Sequence, residues 1–421
     1  MGRGRPMGVT GVAPGRGFMT AMVVDALGSG VWITFSLLYF TYGQGMALTS
    51  AGAALSTGSL AALLAGGLAV GALADRMGPF RAATLSCALR AAAFPCYLAA
   101  DRPAAVAAVA FAVSFGDRLY WAAHGGLVAV VTSAEQARRG MFALLNSLRN
   151  VGLGVGALGV ALGASFEDRG GTALWHSIPL VNAASFAVAG VLFRVTGRRV
   201  PPVPAASGGD VPAASYRTVL ANRRFLAFTG ATLAITLSSV AFDSILPVYL
   251  RWLEMPVWTP PAAYVLSCVA IPAFQPLALR LGRERSPMRL MAVAAVLIAA
   301  GLGGLVAAGR FGTAGAAALV AGLVLLFSLG EALFGAVAMT IVLSFASSSD
   351  AGRYSAFYQL VWGVSGALGP AVHTLLFSVS GGTPWLVMAC ALLVAAVVYR
   401  GLDRTAVRAA RPAAAGRKGE A

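Results

Sequence analysis

Residues 104–133 read AAVAAVAFAVSFGDRLYWAAHGGLVAVVTS. This run holds one acid, Asp117, one base, Arg118, and a single histidine, His124; almost everything else in it is apolar or small. A helix needs roughly 20 apolar residues to cross a hydrocarbon core about 30 Å thick, so the run is long enough to span a bilayer with two charges near its middle. Barrel strands would alternate apolar and polar residues, whereas this run is continuously apolar. The stretch therefore predicts a membrane-crossing helix that must shelter its charges from lipid.

Eleven further runs of the same kind lie on either side. Bracketed by charges and Pro/Gly clusters, the set falls near 18–42, 49–73, 80–100, 104–133, 140–165, 173–195, 225–250, 258–280, 288–308, 313–346, 353–379 and 384–400. The predicted fold class is an all-α polytopic membrane protein with 12 transmembrane helices. Composition agrees: of 421 residues, 58% are hydrophobic and 11% charged, against about a quarter charged in soluble domains. So few charges could not cover the surface of a soluble globule of this size, and so much apolar residue excludes intrinsic disorder. The first run follows a basic segment but is too long for a signal peptide and has no clear cleavage site, so it reads as a retained span.

The net charge of +16 would suggest a nucleic-acid partner in a soluble protein, but its distribution makes it a topology signal. With a cytoplasmic N-terminus, 24 basic residues fall in intracellular segments and 4 (Arg102, Arg169, Arg251 and Arg310) in extracellular loops. The positive-inside rule then places both termini in the cytoplasm, and no nucleic acid is expected as a partner. Cys87, Cys96, Cys268 and Cys390 lie in apolar runs without metal-like spacing and read as small buried hydrophobes, so no metal and no cofactor is expected. Thirty of the 31 basic residues are Arg and one is Lys418, which points to a GC-rich bacterial genome and hence to the cytoplasmic membrane.

The fourth run contains SFGDRLYW (Ser114–Trp121) and the tenth SLGEALFG (Ser328–Gly335), an offset of 214 that also pairs Arg139 with Arg353 and Gly152 with Gly366. A repeat of half the chain length predicts two six-helix bundles with a binding site near the midplane between them. The expected division is a basic cytoplasmic N-terminus (1–17), an N-terminal bundle (18–195), a Pro/Ser/Gly-rich basic cytoplasmic linker (196–224), a C-terminal bundle (225–400) and a basic cytoplasmic tail (401–421). A monomer is expected.

After the second run comes GALADRMGPFR (Gly71–Arg81), which closely resembles the 2–3 loop signature of the major facilitator superfamily, G-x-L-A-D-R-x-G-r-[KR]. With the span count, the central linker and the half-length repeat, the resemblance covers nearly the whole chain. It implies a two-bundle transporter working by alternating access, with Gly71, Asp75, Arg76, Gly78 and Arg81 forming a cytoplasmic gating loop. On physical grounds Gly71 would allow close helix approach, Asp75 would sit at a positive helix end and Gly78 would make the turn. The matching loop of the second half, LALRLGRERSP (Leu277–Pro287), has Leu279 where the Asp belongs. RNVGLGVGALG (Arg149–Gly159) resembles the glycine-rich helix of drug:proton antiporters in that superfamily, with Ala157 where the pattern has proline; the bland reading of such glycines is close helix packing.

Seven ionisable residues fall within the runs: Asp25, Arg90, Asp117, Arg118, Arg149, Asp243 and Glu331. At roughly 2.5–3.5 kcal/mol each near a helix centre, facing lipid would cost on the order of 20 kcal/mol together, so they must face protein or water. Adjacent residues on a helix point about 100° apart, so Asp117 and Arg118 cannot be each other's main partner. By depth, Asp117–Arg90 is expected as a structural pair and Arg118 faces a cavity with Asp25. Drug:proton antiporters of the family carry an acid in span one and an Arg in span four, positions that Asp25 and Arg118 resemble. A carboxylate beside an Arg in a partly dry cavity feels the opposed pulls of desolvation and of the cation, and movement of the Arg between two states would couple proton uptake to transport. Glu331, the repeat mate of Asp117, has Ala332 beside it instead of Arg and is a second proton-site candidate; Arg149 joins the cavity set. Trp121 and Trp362 are candidate cavity walls, and His124 and His373 read as hydrogen-bonded core.

The function expected is proton-coupled efflux of a small amphipathic compound, because cavity-lining amides are few and sugars or nucleotides need many hydrogen-bonding partners. A proton-coupled importer of a small nutrient is the alternative. From a different class, Gly363–Gly366 (GVSG) matches the G-x-S-G of intramembrane serine proteases with Ser365 as nucleophile, but His373 lies on the same helix more than about 10 Å away. No phosphate-binding G-x-x-x-x-G-K-[ST] loop occurs in the sequence, which argues against ATP-driven transport. The protein is therefore expected not to be an enzyme, with small-molecule substrate, protons and the lipid bilayer as partners.

Overall fold

The computed structural model of the chain describes residues 16–132, 135–165, 172–199, 217–256, 258–346 and 351–415. The helices are α1 (Arg16–Leu38), continued by a π-helical turn at Tyr39–Gly43, α2 (Leu48–Met77), α3 (Pro79–Ala93) with a 3-10 extension at Phe94–Ala99, α4 (Pro103–Val131), α5 (Glu135–Ser165) and α6 (Thr172–Arg198). The second half follows with α7 (Arg217–Ala221), α8 (Arg223–Ser244), α9 (Leu246–Trp252), α10 (Thr259–Glu284), α11 (Pro287–Gly304) with a 3-10 extension at Leu305–Arg310, α12 (Thr313–Ser344), α13 (Ala351–Val379) and α14 (Thr383–Ala415). No strand occurs among the described residues. Every expected apolar run is occupied by helix, and 10 stretches are long and apolar enough to cross a membrane. α4 falls outside those 10, with Asp117 and Arg118 in its middle lowering its mean hydropathy.

Prolines set the internal breaks. Pro95 has no N–H for the carbonyl four residues back, and the helix tightens to 3-10 from Phe94. Pro247 acts likewise on Asp243, so α8 ends at Ser244 and α9 begins at Leu246. Most of the linker lies outside the described residues, but its end folds as α7, and Asn222 caps α8: its Oδ1 accepts the Phe225 N–H at 3.0 Å while its Nδ2 donates to the Tyr354 hydroxyl at 3.1 Å. α14 runs on past residue 400 to Ala415, so the start of the basic tail continues a helix.

The chain divides into two compact units. The first comprises Met1–Trp32, Gly58–Gly159 and Gly171–Gly209, the second Ile33–Thr57, Val160–Gly170 and Asp210–Ala421. The first unit is cored by Phe18, Met22, Phe80, Tyr120, Leu127 and Phe193. Its glycines let backbones touch: a Cβ at Gly152 would sit 2.7 Å from both the Val23 carbonyl oxygen and Ala26 Cβ, and one at Gly156 would collide with the Leu27 carbonyl. Here the glycines of α5 form a close-packed seam against α1. In the second unit Phe242 stacks on Phe327 at 4.3 Å, and the Tyr249 hydroxyl donates to the Leu305 carbonyl at 3.0 Å. The start of α2 belongs to this unit because Ser56 Oγ accepts the Ala371 N–H at 2.9 Å, beside Pro370 of α13.

Candidate functional site

Three helices of the first unit converge on one guanidinium. Arg90 of α3 is 2% exposed; its Nη2 donates to Asp25 Oδ1 of α1 at 2.7 Å, and its Nη1 lies 3.8 Å from Asp117 Oδ1 of α4. Burial is possible because Gly116 has no side chain: a Cβ there would come within 2.8 Å of Arg90 Cγ, so the aliphatic stem passes where any other residue would block it. The Ser86 hydroxyl, one turn before Arg90, donates to the Gly116 carbonyl at 2.6 Å and fixes α3 on α4. The guanidinium carbon lies 4.1 Å from the Phe186 ring centroid and 5.2 Å from that of Tyr120, so aromatic faces replace water above the cation. Cys87 Sγ completes the shell, 3.8 Å from Asp25 Oδ1 and 3.7 Å from Arg90 Nη2.

The two acids differ in access. Asp25 has an 8% exposed side chain, Asp117 a 53% exposed one. The cluster is closed at the α1 end and open at the α4 end. One cation is thus shared by two carboxylates, with the short contact on the sheltered acid.

The Asp117–Arg90 pair expected by depth is present, while the expected pairing of Asp25 with Arg118 is corrected. Asp25 is held by Arg90, and the Asp117–Arg90 contact is the longer of the two. Arg118 leaves α4 on another face, with its stem beside Gly66 of α2 and its Nε buried without a hydrogen-bond partner among the described residues. Depth along a helix was legible in the sequence; the direction around it, decided by Gly116, was not.

In the second unit Glu331 of α12 accepts a hydrogen bond from the Ser239 hydroxyl of α8 at 3.0 Å. No cation pairs with it among the described residues. Asp243 follows Ser239 by one turn on α8. Ser239 was missed in the sequence, although a hydroxyl one turn from an acid in an apolar run is a usable signal.

Arg149 lies over the Trp121 ring, 5.3 Å from Cζ to centroid, and Trp121 packs beside His124 at 5.2 Å. Trp121 is 46% exposed, whereas Trp362 is half-buried against Phe334 at 6.1 Å. In the Gly71–Arg81 segment, α2 ends at Met77 and α3 begins at Pro79, with Gly78 between them at φ 80°. Only glycine takes that backbone easily, as the turn requires. Arg76 and Arg81 are exposed; the Asp75 side chain lies outside the described residues. The close approach expected at Gly71 is not seen among the described residues: a Cβ there would meet nothing within 4 Å.

Ser365 is fully buried, and its hydroxyl is engaged with Thr236 Oγ1 at 2.6 Å. His373 is also fully buried, and neither ring nitrogen has a hydrogen-bond partner among the described residues, which corrects its reading as hydrogen-bonded core. The cysteines likewise depart from expectation: Cys87 and Cys268 are buried, but Cys96 and Cys390 are exposed. In a span, a lipid-facing position is as apolar as a core one, so hydrophobicity does not tell them apart.

Continuous apolar helices that shelter charged side chains define a polytopic membrane protein. The family model of the Major Facilitator Superfamily matches residues 17–370, and the chain belongs to that superfamily. Among solved structures it is similar to a point-mutant form of the nucleoside transporter NupG (15% identity, TM-score 0.73, covering 92% of this chain and 98% of that one). It is also similar to a bacterial homologue of the iron transporter ferroportin in an inward-facing state (15%, 0.73, 92% and 97%) and to a POT peptide transporter with sulfate (14%, 0.71, 94% and 96%). At these identities the likeness speaks for the fold alone. No curated protein sequence matches the chain. The protein is a multi-pass membrane transporter of the secondary type.

Proposed function

We propose that the protein exports a small amphipathic compound in exchange for protons by alternating access, from a bacterial cytoplasmic membrane in which both termini face the cytoplasm. The observation that carries the reading is the sharing of Arg90 between Asp25 at 2.7 Å and Asp117 at 3.8 Å. A proton arriving on Asp25 cancels the charge that holds Nη2. The guanidinium is then drawn to Asp117, about 1 Å further off, and the contact joining α1 to α3 is exchanged for one joining α4 to α3. Proton occupancy is thereby tied to helix packing, which is what coupling requires. Arg118, Arg149 and Trp121 supply the polar and aromatic surface nearby, and Glu331 is a second proton acceptor in the other unit. The exposed arginines Arg76 and Arg81 flank the Gly78 turn and serve as the cytoplasmic gate.

The test is substrate accumulation in everted vesicles carrying wild type, Asp25→Asn or Glu331→Gln at equal protein level. Proton-driven uptake into everted vesicles, lost in Asp25→Asn, is the expected result. Undiminished proton-driven transport in Asp25→Asn overturns the coupling role. Proton-driven accumulation in intact cells that rises on expression overturns export and makes the protein an importer.

A further inference from the structure

A second polar feature lies far along the chain from the Arg90 cluster, at the junction of α10, α11 and α14. A groove of ≈ 560 Å³ opens there, and four arginines line it: Arg285 just after α10, Arg289 at the start of α11, and Arg400 and Arg404 in the second half of α14. Only one acid, Asp403, faces them, and it is already engaged: the Ser286 hydroxyl donates to its Oδ1 and Arg289 Nε to its Oδ2 at 2.8 Å. Asp403 thus ties α14 to the start of α11. Arg285, Arg400 and Arg404 are exposed and have no ion pair among the described residues.

The groove is amphipathic along the span direction. Its apolar wall consists of Leu281, Leu290 and Val293, and Val293 lies about 9 Å of helix rise inside Pro287. The arginines sit at the limits of membrane-crossing stretches that end at Glu284 and Arg404 and begin at Pro287. A ligand seated here meets cations at interface depth and hydrocarbon below. A free anion would use only the first; a phospholipid uses both.

We propose that this groove binds the phosphate headgroup of an anionic phospholipid, with an acyl chain along Leu281, Leu290 and Val293. The site fits a glycerophosphate carrying net negative charge, because three uncompensated guanidiniums also repel the cationic amine of a zwitterionic headgroup. The arginines of this junction therefore do more than set topology. Lipid bound there bridges α11 and α14, the two helices that Asp403 already joins.

Native mass spectrometry of the purified full chain, titrated with phosphatidylglycerol, phosphatidylcholine or inorganic phosphate, tests the assignment. Each arginine near an anionic surface contributes about fivefold in affinity. Phosphatidylglycerol is expected to be retained over phosphatidylcholine, inorganic phosphate not to displace it, and the triple variant Arg285→Gln/Arg400→Gln/Arg404→Gln to lose that retention by more than about tenfold. Arg404→Glu, a single change at an exposed position that alters the charge by two units, is expected to lower retention about 25-fold with the fold intact, while Arg251→Gln/Arg310→Gln leaves it unchanged. Equal retention of the two lipids, displacement by inorganic phosphate, or full retention in folded Arg404→Glu would each overturn it.

Discussion

Replacing Arg90 with Met keeps most of the aliphatic volume and removes the cation. Asp25, whose side chain is 8% exposed, then loses its 2.7 Å ionic partner, and Asp117 loses its 3.8 Å one. Removing one partner of a buried pair costs about 3–5 kcal/mol, because an uncompensated charge is left behind. The loss of ring contacts at 4.1 Å to Phe186 and 5.2 Å to Tyr120 adds about 1 kcal/mol. Together these amount to about 4–6 kcal/mol, enough to lower the thermal transition of the purified protein by on the order of 10 °C. The double variant Arg90→Met/Asp25→Asn removes the stranded charge as well, so it is expected to recover more than half of that loss. The assay is thermal unfolding in detergent, read by tryptophan fluorescence on wild type, both single variants and the double. An Arg90→Met transition within about 2 °C of wild type, or a double variant no better than the single, would refute the view that this cation holds α1, α3 and α4 together.

Gly116→Ala is expected to destabilise by about 1–3 kcal/mol in the same assay, since the new Cβ lies 2.8 Å from Arg90 Cγ; an unchanged transition would show that the stem has room. Gly152→Val should act likewise on the α1–α5 seam and lower the yield of folded protein in detergent chromatography. Ser239→Ala removes the only hydrogen-bond donor to Glu331 among the described residues and is expected to cost about 1–3 kcal/mol by thermal unfolding. An apolar maleimide should label Cys96 and Cys390 in the native protein and reach Cys87 and Cys268 only after unfolding; rapid native labelling of Cys87 would contradict its burial.

What the sequence disclosed follows from what lipid demands. A backbone in hydrocarbon must satisfy itself within each helix, so every span leaves a long apolar run, and the runs fell where the helices are. Gly78 was legible for a similar reason, since a two-helix turn with φ 80° has few other occupants. The partner of Asp25 was not. Sequence spacing fixes how deep a side chain sits, but the direction it takes depends on which neighbour leaves space, and Gly116 looks like any other glycine in a chain with 51 of them. The exposed cysteines were hidden because both faces of a lipid-embedded helix are apolar and periodicity carries little information.

The repeat adds a step that neither half gives alone. Asp117 and Glu331 occupy equivalent positions 214 residues apart, on α4 and α12. Their surroundings have diverged in one specific respect: Asp117 shares a guanidinium with Asp25, whereas Glu331 has a serine hydroxyl in place of a cation. A carboxylate held by an arginine can trade that arginine for a proton, so its protonation rearranges its neighbours. A carboxylate held by a hydroxyl exchanges only a hydrogen-bond direction, because serine can donate to the anion or accept from the acid without moving. In the proposed cycle the arginine-held pair, Asp25 with Asp117, is suited to driving a helix rearrangement, and Glu331 to carrying a proton through one. On this division Asp25→Asn should abolish coupling outright, while Glu331→Gln should change how many protons accompany each substrate molecule. A stoichiometry measured from the reversal potential in proteoliposomes that is identical in wild type and Glu331→Gln would remove Glu331 from the proton path.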